Sequence, residues 1–277
     1  MERYKEIERM IMTTFRSKLW TKFIKAIKEY ELIQEHDKIC VCISGGKDSM
    51  VLAKLFQELH RHTEFDFDVE YIVMNPGYNP ENLAKINENL QVLNIPAEIF
   101  ESNIFDVANT TEKNPCYLCA RMRRGHLYAI AKSKGCNKIA LGHHFDDVIE
   151  TTLMGMLNSG NFQTMLPKLH SENFEGMELI RPLYFVRERD IVAFSKSAQI
   201  EFIRCACRFT ENIAKNEIED VTSQRYQTKL LIESLEKKNP NVVNNIFKSA
   251  ENVNLNMVIG YKQDGEKHTF LDWYNKK

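Results

Sequence analysis

Lys38-Ile39-Cys40-Val41-Cys42-Ile43-Ser44-Gly45-Gly46-Lys47-Asp48-Ser49 is the stretch on which the fold turns. Its first half is a short β-prone run, bounded by charge on one side and by Ser-Gly-Gly on the other, which reads as a buried strand. A helical pattern over 48–60 opens directly after the glycines. Strand, glycine turn and helix in this order aim the unpaired N–H groups and partial positive charge of a helix N-terminus at whatever sits above the strand. The glycines let the backbone approach an anion closely. Ser44 and Ser49 add hydroxyls, and Lys47 adds a cation for phosphates. Asp48 would be unfavourable beside phosphate unless it holds magnesium or orients the loop. A plain turn needs no such set, and the spacing is neither Gly-x-x-x-x-Gly-Lys-Ser/Thr nor Gly-x-Gly-x-x-Gly.

Outward from this stretch the pattern alternates. Strands are expected at 69–74, 97–102, 138–142 and 200–204, with an extended segment at 178–183. Helices are expected at 80–94, 117–134, 146–158 and 187–199. This βαβα order argues for an α/β fold, a parallel doubly wound sheet with helices on both faces. Residues 1–30 read as one helix, because Ile7, Met10, Ile11, Phe15, Leu19, Phe23 and Ile27 recur at helical spacing. From about 213 strand signals stop, and helices are expected over 213–236 and 240–254, parted by Asn239-Pro240. The expected organisation is a helical segment 1–30, a nucleotide domain 31–210 and a helical extension 211–277.

The chain has 277 residues, 43% of them apolar and 27% charged, which is ordinary for a globular protein. The net charge of −1 supplies no global positive field, so any nucleic-acid contact must come from local patches. No run of about 18 apolar residues offers a membrane span. The first twenty residues mix acidic and basic groups and lack a signal-peptide core, so a cytoplasmic location is expected. Seven cysteines in a reducing compartment read as thiols, metal ligands or redox groups.

Two further clusters carry chemistry. Leu141-Gly142-His143-His144-Phe145-Asp146-Asp147-Val148-Ile149-Glu150-Thr151-Thr152 follows the strand at 138 and opens a helix, which places it at the ligand crevice of a parallel sheet. Gly142 permits close backbone approach. Asp147 suits magnesium or a ribose or phosphate-side group, although both aspartates could equally cap the helix. A lone histidine is more often structural, and neither His143 nor His144 is assigned a catalytic role. The second cluster is Cys116-x-x-Cys119, with Cys205-x-Cys207 about ninety residues on. Two thiolates on one turn can share a metal. A structural zinc wants four ligands and a thioredoxin-like pair wants no phosphate loop before it. An iron–sulfur cube on three cysteines leaves one iron open for sulfide. Cys40 and Cys42 read as buried apolar residues of the first strand, and Cys136 has no partner legible in the sequence.

Ser44–Ser49 resembles the loop of PP-loop ATP pyrophosphatases, which split ATP between its α and β phosphates. On that resemblance Met74 lies near the adenine. Cys116-Tyr-Leu-Cys119-Ala-Arg-Met-Arg-Arg-Gly, Gly142-His-His-Phe-Asp-Asp147, Leu166-Pro-Lys-Leu169, Ile180-Arg-Pro-Leu183 and Arg187-Glu-Arg-Asp190 together resemble the tRNA 2-thiocytidine synthetase family over roughly 20–255. The resemblance implies an adenine nucleotide α-hydrolase-like fold, ATP with Mg2+, and a [4Fe–4S] cluster on Cys116, Cys119 and Cys205. It implies thiolation of an anticodon-loop cytidine in tRNA, with Lys47 and Asp48 as catalytic groups. Sulfur would come from a cysteine desulfurase or other donor, and a homodimer is compatible. The family usually has Pro-Cys-x-x-Cys where this chain has Arg204-Cys205-Ala-Cys207, so Cys207 stands as an alternative third ligand and the target nucleotide is left open. Alternatives are another thiolation, such as 2-thiouridine synthesis, or a zinc-stabilised RNA-binding module without turnover. Arg121, Arg123 and Arg124 are candidate tRNA phosphate contacts, as are Lys18, Lys22, Lys25 and Lys28.

Overall fold

The computed structural model describes residues 2–63, 65–105, 115–203 and 223–275, with 115–117 described by backbone alone. Its centre is a six-stranded sheet. Strand β1 (Lys38–Ile43) is flanked by β2 (Asp68–Asn75) and β4 (Lys138–Ala140), with β3 (Glu98–Glu101) outside β2 and β6 (Glu178–Ile180) outside β4. All of these pair in parallel. The strand order 3-2-1-4-6 reverses between β1 and β4, so their carboxyl ends form the switch point where such sheets hold ligands.

The β1 sequence explains its central place. Ile39, Val41 and Ile43 enter a core shared with helices on one face. Cys40 and Cys42 enter a smaller core on the other, with Tyr128, Ala131 and Cys136. Both faces are covered, as a doubly wound sheet requires. Cys136 therefore has a place: it is buried against Cys40. Hydrogen bonding to Cys40 and burial push its thiol well up, which leaves it protonated and unreactive.

Helices α3 (Lys47–His62), α4 (Pro80–Leu93), α5 (Pro115–Ser133), α6 (Phe145–Ser159) and α7 (Glu188–Ser197) fall at the expected places. Helix α4 shows the local cause: Asn79 accepts from the Asn82 N–H at 2.7 Å, Pro80 opens the first turn, and Asn94 closes the helix in the left-handed region.

Several expectations are corrected. The N-terminal segment is three pieces: α1 (Arg3–Met12), a π-helical turn (Arg16–Trp20) and α2 (Thr21–Glu29). Ile7, Ile11, Phe15, Leu19, Phe23 and Ile27 are spaced by four, and a straight α-helix would rotate such a series by about 40° per step. The wider π turn lets this stripe stay buried. No strand forms at 200–203. The free edge of β6 is taken instead by β5 (Lys168–His170), which runs antiparallel, while the 200–203 segment crosses α4, with Glu201 O accepting from Asn89 Nδ2 at 2.9 Å. Past 223 the chain forms α8 (Gln224–Lys238) and α9 (Val242–Glu251), but then a hairpin, β7 (Gly260–Gln263) and β8 (Glu266–Thr269), and a short α10 (Leu271–Tyr274). Asp264-Gly265, both at positive φ, turns that hairpin.

The expected terminal segments are layers on one core. Ile7, Phe23, Ile232, Val243 and Phe247 belong to the same buried cluster as Val41. Phe247 of α9 stacks on Phe145 of α6 at 4.8 Å between ring centroids. No helix among the described residues is long and apolar enough to cross a membrane.

Candidate active site

The loop between β1 and α3 is built by its own side chains. Gly45 sits at φ +81°, where a Cβ would lie 2.6 Å from Ile86 Cγ1 and 2.7 Å from Ile203 Cδ1. Ser49 Oγ donates to Gly46 O at 3.0 Å and accepts from Ser44 N at 3.1 Å. The Ser49 hydroxyl is therefore committed to the loop's own shape. Tyr78 adds a clamp, donating to Ser44 O at 3.0 Å. Gly46 is the N-cap of α3 and brings no side chain to it. The first-turn N–H groups are thus left for an anion.

Charge is concentrated at the helix start. Lys47 Nζ lies 3.1 Å from Asp48 Oδ2 and 3.0 Å from Glu188 Oε1. Asp48 Oδ1 is buried, accepts no hydrogen bond and stands 3.8 Å from His144 Nε2. Burial raises the Asp48 pKa against the opposing pull of His144 and Lys47. A buried carboxylate oxygen without a donor, beside a phosphate loop, fits a hard cation such as Mg2+.

The Gly142–Thr152 segment packs directly on this loop. Gly142 comes closest not to open space but to the backbone of Asp48 and Ser49. The capping role expected for the aspartates is shared differently. His144 is the N-cap of α6: its Nδ1 accepts from the Asp147 N–H, and Asp147 Oδ2 accepts from the His144 N–H at 2.9 Å. Asp147 Oδ1 also pairs with Arg225 at 3.3 Å. Asp146 Oδ2 accepts from the N–H of Glu188 at 2.6 Å and so holds the start of α7. His143 is held neutral by burial, its pKa lowered to about 4.

Between the switch-point ends lies a cavity of about 380 Å³. Ser44, Asp48, Ser49, Met74, Gly142 and Asp147 line it from the sheet side, and Ala120, Arg123, Arg124 and Leu127 from α5. Met74 is buried at the end of β2. A larger cavity of about 980 Å³ opens on the other side of the loop, against Lys47, Lys85 and Lys196. Cys119 is half-buried in the first turns of α5, next to Ala120. Cys116 lies in the same helix, but its side chain, like Cys205 and Cys207, falls outside the described residues. Among the described residues no three His, Cys, Asp or Glu side chains converge on a metal-sized site. A set of three thiols is the chemistry of an iron–sulfur ligand set.

Three of the four lysines expected as a stripe on the first helix have acidic partners within the protein. Lys18 and Lys22 face Asp190 at 4.0 and 3.3 Å, and Lys25 faces Glu29 at 3.4 Å.

The PP-loop domain family matches residues 15–223. A tRNA-cytidine(32) 2-sulfurtransferase 1 of Francisella philomiragia subsp. philomiragia is 37% identical over 238 residues, covering 83% of this chain and 87% of the relative. The chain belongs to the tRNA-cytidine(32) 2-sulfurtransferase family of PP-loop proteins. The corresponding protein of Alcanivorax borkumensis is 32% identical, covering 89% of this chain and 84% of its own length. Among solved structures, the U34-tRNA thiolase NcsA from Methanococcus maripaludis, with its [4Fe-4S] cluster, aligns with a TM-score of 0.64 at 21% identity, over 83% of this chain and 76% of that one. That likeness concerns the fold.

In this PP-loop protein, helix α8 begins directly past the matched domain yet reaches back into its site. Lys229 Nζ lies 2.6 Å from Glu188 Oε2, Arg225 pairs with Asp147 and Glu150, and Glu236 pairs with Arg187. Sequence reading missed Glu188 and Lys229 as site residues. Arg187-Glu188-Arg189-Asp190 drew attention only through the family resemblance, and nothing local marks Lys229.

Proposed function

We propose that this chain is an ATP-dependent tRNA sulfurtransferase that replaces the C2 oxygen of an anticodon-loop cytidine with sulfur, giving 2-thiocytidine. The observation that carries the reading is that the phosphate loop and the helix bearing Cys116 and Cys119 border one crevice. Its relatives named tRNA-cytidine(32) 2-sulfurtransferases, matched over most of the chain, supply the substrate.

The loop 44–49 and the α3 N-terminus hold the phosphates of ATP, with Lys47 neutralising charge and Asp48 Oδ1 placed for Mg2+. Met74 borders the adenine side, and Gly142 and Asp147 line the crevice beside the loop. The C2 oxygen of the base attacks the α-phosphorus and pyrophosphate leaves, so a poor leaving oxygen becomes part of an adenylate. The protein's contribution is positioning and charge neutralisation. A [4Fe–4S] cluster on Cys116, Cys119 and Cys205, when bound, supplies the sulfur that displaces AMP. Arg123 and Arg124 on α5 face the splayed loop nucleotide's phosphates, the usual mode for single-stranded RNA. A cysteine desulfurase or other donor recharges the sulfur, the enzyme works in the cytoplasm, and a homodimer is compatible with this reading.

Mass spectrometry of tRNA nucleosides from a strain lacking the gene tests the reading. Loss of 2-thiocytidine is expected. Unchanged 2-thiocytidine with loss of a different thionucleoside would redirect the target.

A further inference from the structure

Three charged residues from three elements meet at one carboxylate. Glu188 opens α7, and its N–H is pinned by Asp146 of α6 at 2.6 Å. Its two oxygens serve one cation each: Oε1 faces Lys47 Nζ at 3.0 Å and Oε2 faces Lys229 Nζ at 2.6 Å. Burial alone would push the Glu188 carboxyl up, but Lys229 and Lys47 override it and hold it down at about 2. The group is therefore a fixed negative charge at any working pH.

Lys47 needs such a fixed point. A lysine side chain has four rotatable carbon bonds and a point charge with no preferred direction. Its other partner, Asp48, belongs to the same loop and moves with it. Glu188 is held by a different layer of the fold, so it can orient Lys47 relative to the sheet. Helix α8 does not depend on Glu188 for docking: Arg225 pairs with Asp147, Glu236 with Arg187, and Ile232 is buried in the core. A role limited to stapling α8 would thus be redundant.

We infer that Glu188 is a positioning residue for nucleotide activation, which aims Lys47 at the phosphates and ties that aim to the seating of helix α8 through Lys229. The inference rests on the ATP-dependent reading above and names a residue pair that the reading does not require. Two roles of a carboxylate here act on different quantities. Removing a negative charge beside a phosphate site tightens ATP binding by simple electrostatics. Removing an orienting partner lowers turnover, because the loss falls on the transition state.

The test uses the full-length protein with Glu188→Gln, Lys229→Met and Lys229→Arg. It reads ATP binding by titration calorimetry, kcat and KM for ATP in thiolation of unmodified tRNA, and thermal midpoints. Glu188→Gln is expected to lower kcat by about ten- to a hundredfold while ATP binds as tightly as in the parent protein or more tightly. Lys229→Met should lower kcat in the same sense by about three- to tenfold, and Lys229→Arg should restore it to within about twofold. Retention of the parent kcat in Glu188→Gln overturns the inference, as does a kcat loss in Lys229→Met that Lys229→Arg fails to rescue. Should Glu188→Gln not fold, the Lys229 pair decides alone. Failure of the unaltered protein to bind ATP would instead strike the functional reading itself.

Discussion

The backbone of Gly142 packs against the backbone of Ser49: a Cβ at Gly142 would stand 3.0 Å from Ser49 N and 3.2 Å from Ser49 Cα. The end of β4 and the start of α3 therefore interlock at the switch point, where a methyl group would require the neighbouring backbone to give by a few tenths of an ångström. The neighbour is helix backbone, which cannot swing aside as a side chain could. Gly142→Ala is expected to push the first turn of α3 away from β4, weakening ATP binding by about tenfold and costing about 1–3 kcal/mol of stability. Calorimetric ATP titration and thermal melts check this, and unchanged values in both would show that the interlock yields freely.

Glu150 predicts a pH dependence. It is buried on α6, with Arg225 Nε 3.5 Å from its Oε2. Burial holds its pKa up at about 7 from an ordinary 4.5, against the pull of Arg225. A carboxyl raised on folding binds more protons in the native state between these values. Its contribution is thus most favourable below about pH 4.5, falls as pH rises, and is fully unfavourable above about 7. Glu150→Gln keeps the shape and removes the charge. Relative to the parent protein, the variant should be near-equal in stability at about pH 4 and about 3 kcal/mol more stable at about pH 8. Urea melts across this range measure the difference, and a pH-independent offset would contradict the assignment.

What the sequence disclosed and what it hid follow from where the information lies. The β1 run was legible because Ile39, Val41 and Ile43 bury one face and Cys40 and Cys42 the other, leaving no polar position to confuse the pattern. Loop 44–49 was legible because its chemistry is contiguous. Strand β5 was not, since Lys168, Leu169 and His170 form a three-residue edge with no alternating pattern to read. The hairpin at 260–269 is mostly exposed and polar, so Asp264-Gly265 was its one local signal. The break in the N-terminal helix is written only in the four-residue spacing of its apolar stripe. Lys47, Glu188 and Lys229 meet through three separate elements, and such long-range charge pairing leaves no trace in local order.

Arg123 and Arg124 line the crevice from α5, about one turn past Cys119, whereas Lys22 is already paired with Asp190. This separates the two sets of cations that the sequence offered as phosphate contacts. Replacing either arginine with alanine should weaken tRNA binding and reduce the slope of log affinity against log salt by about 1. Lys22→Ala should leave that slope unchanged. Fluorescence anisotropy with labelled tRNA at several potassium chloride concentrations reads both. A slope change for Lys22→Ala equal to that for Arg123→Ala would return the N-terminal stripe to the RNA surface.

The nucleotide and sulfur halves of the proposed chemistry sit on different elements, so they should fail separately. Lys47 belongs to the first turn of α3 and Cys119 to α5, two helices that each contribute other residues to one crevice. Lys47→Ala removes the phosphate cation without touching a thiol, and should abolish ATP-dependent turnover while iron content in anaerobically purified protein stays intact. Cys116→Ala or Cys119→Ala should do the reverse, losing iron while ATP still binds, because both cysteines lie on α5 and not in the loop 44–49. Cys205→Ala should match them. Iron analysis beside ATP titration gives both readouts on each variant. Full iron and full thiolation in Cys205→Ala, with loss of both in Cys207→Ala, would move the third ligand two residues along the chain, which the shortened Cys-x-Cys spacing permits.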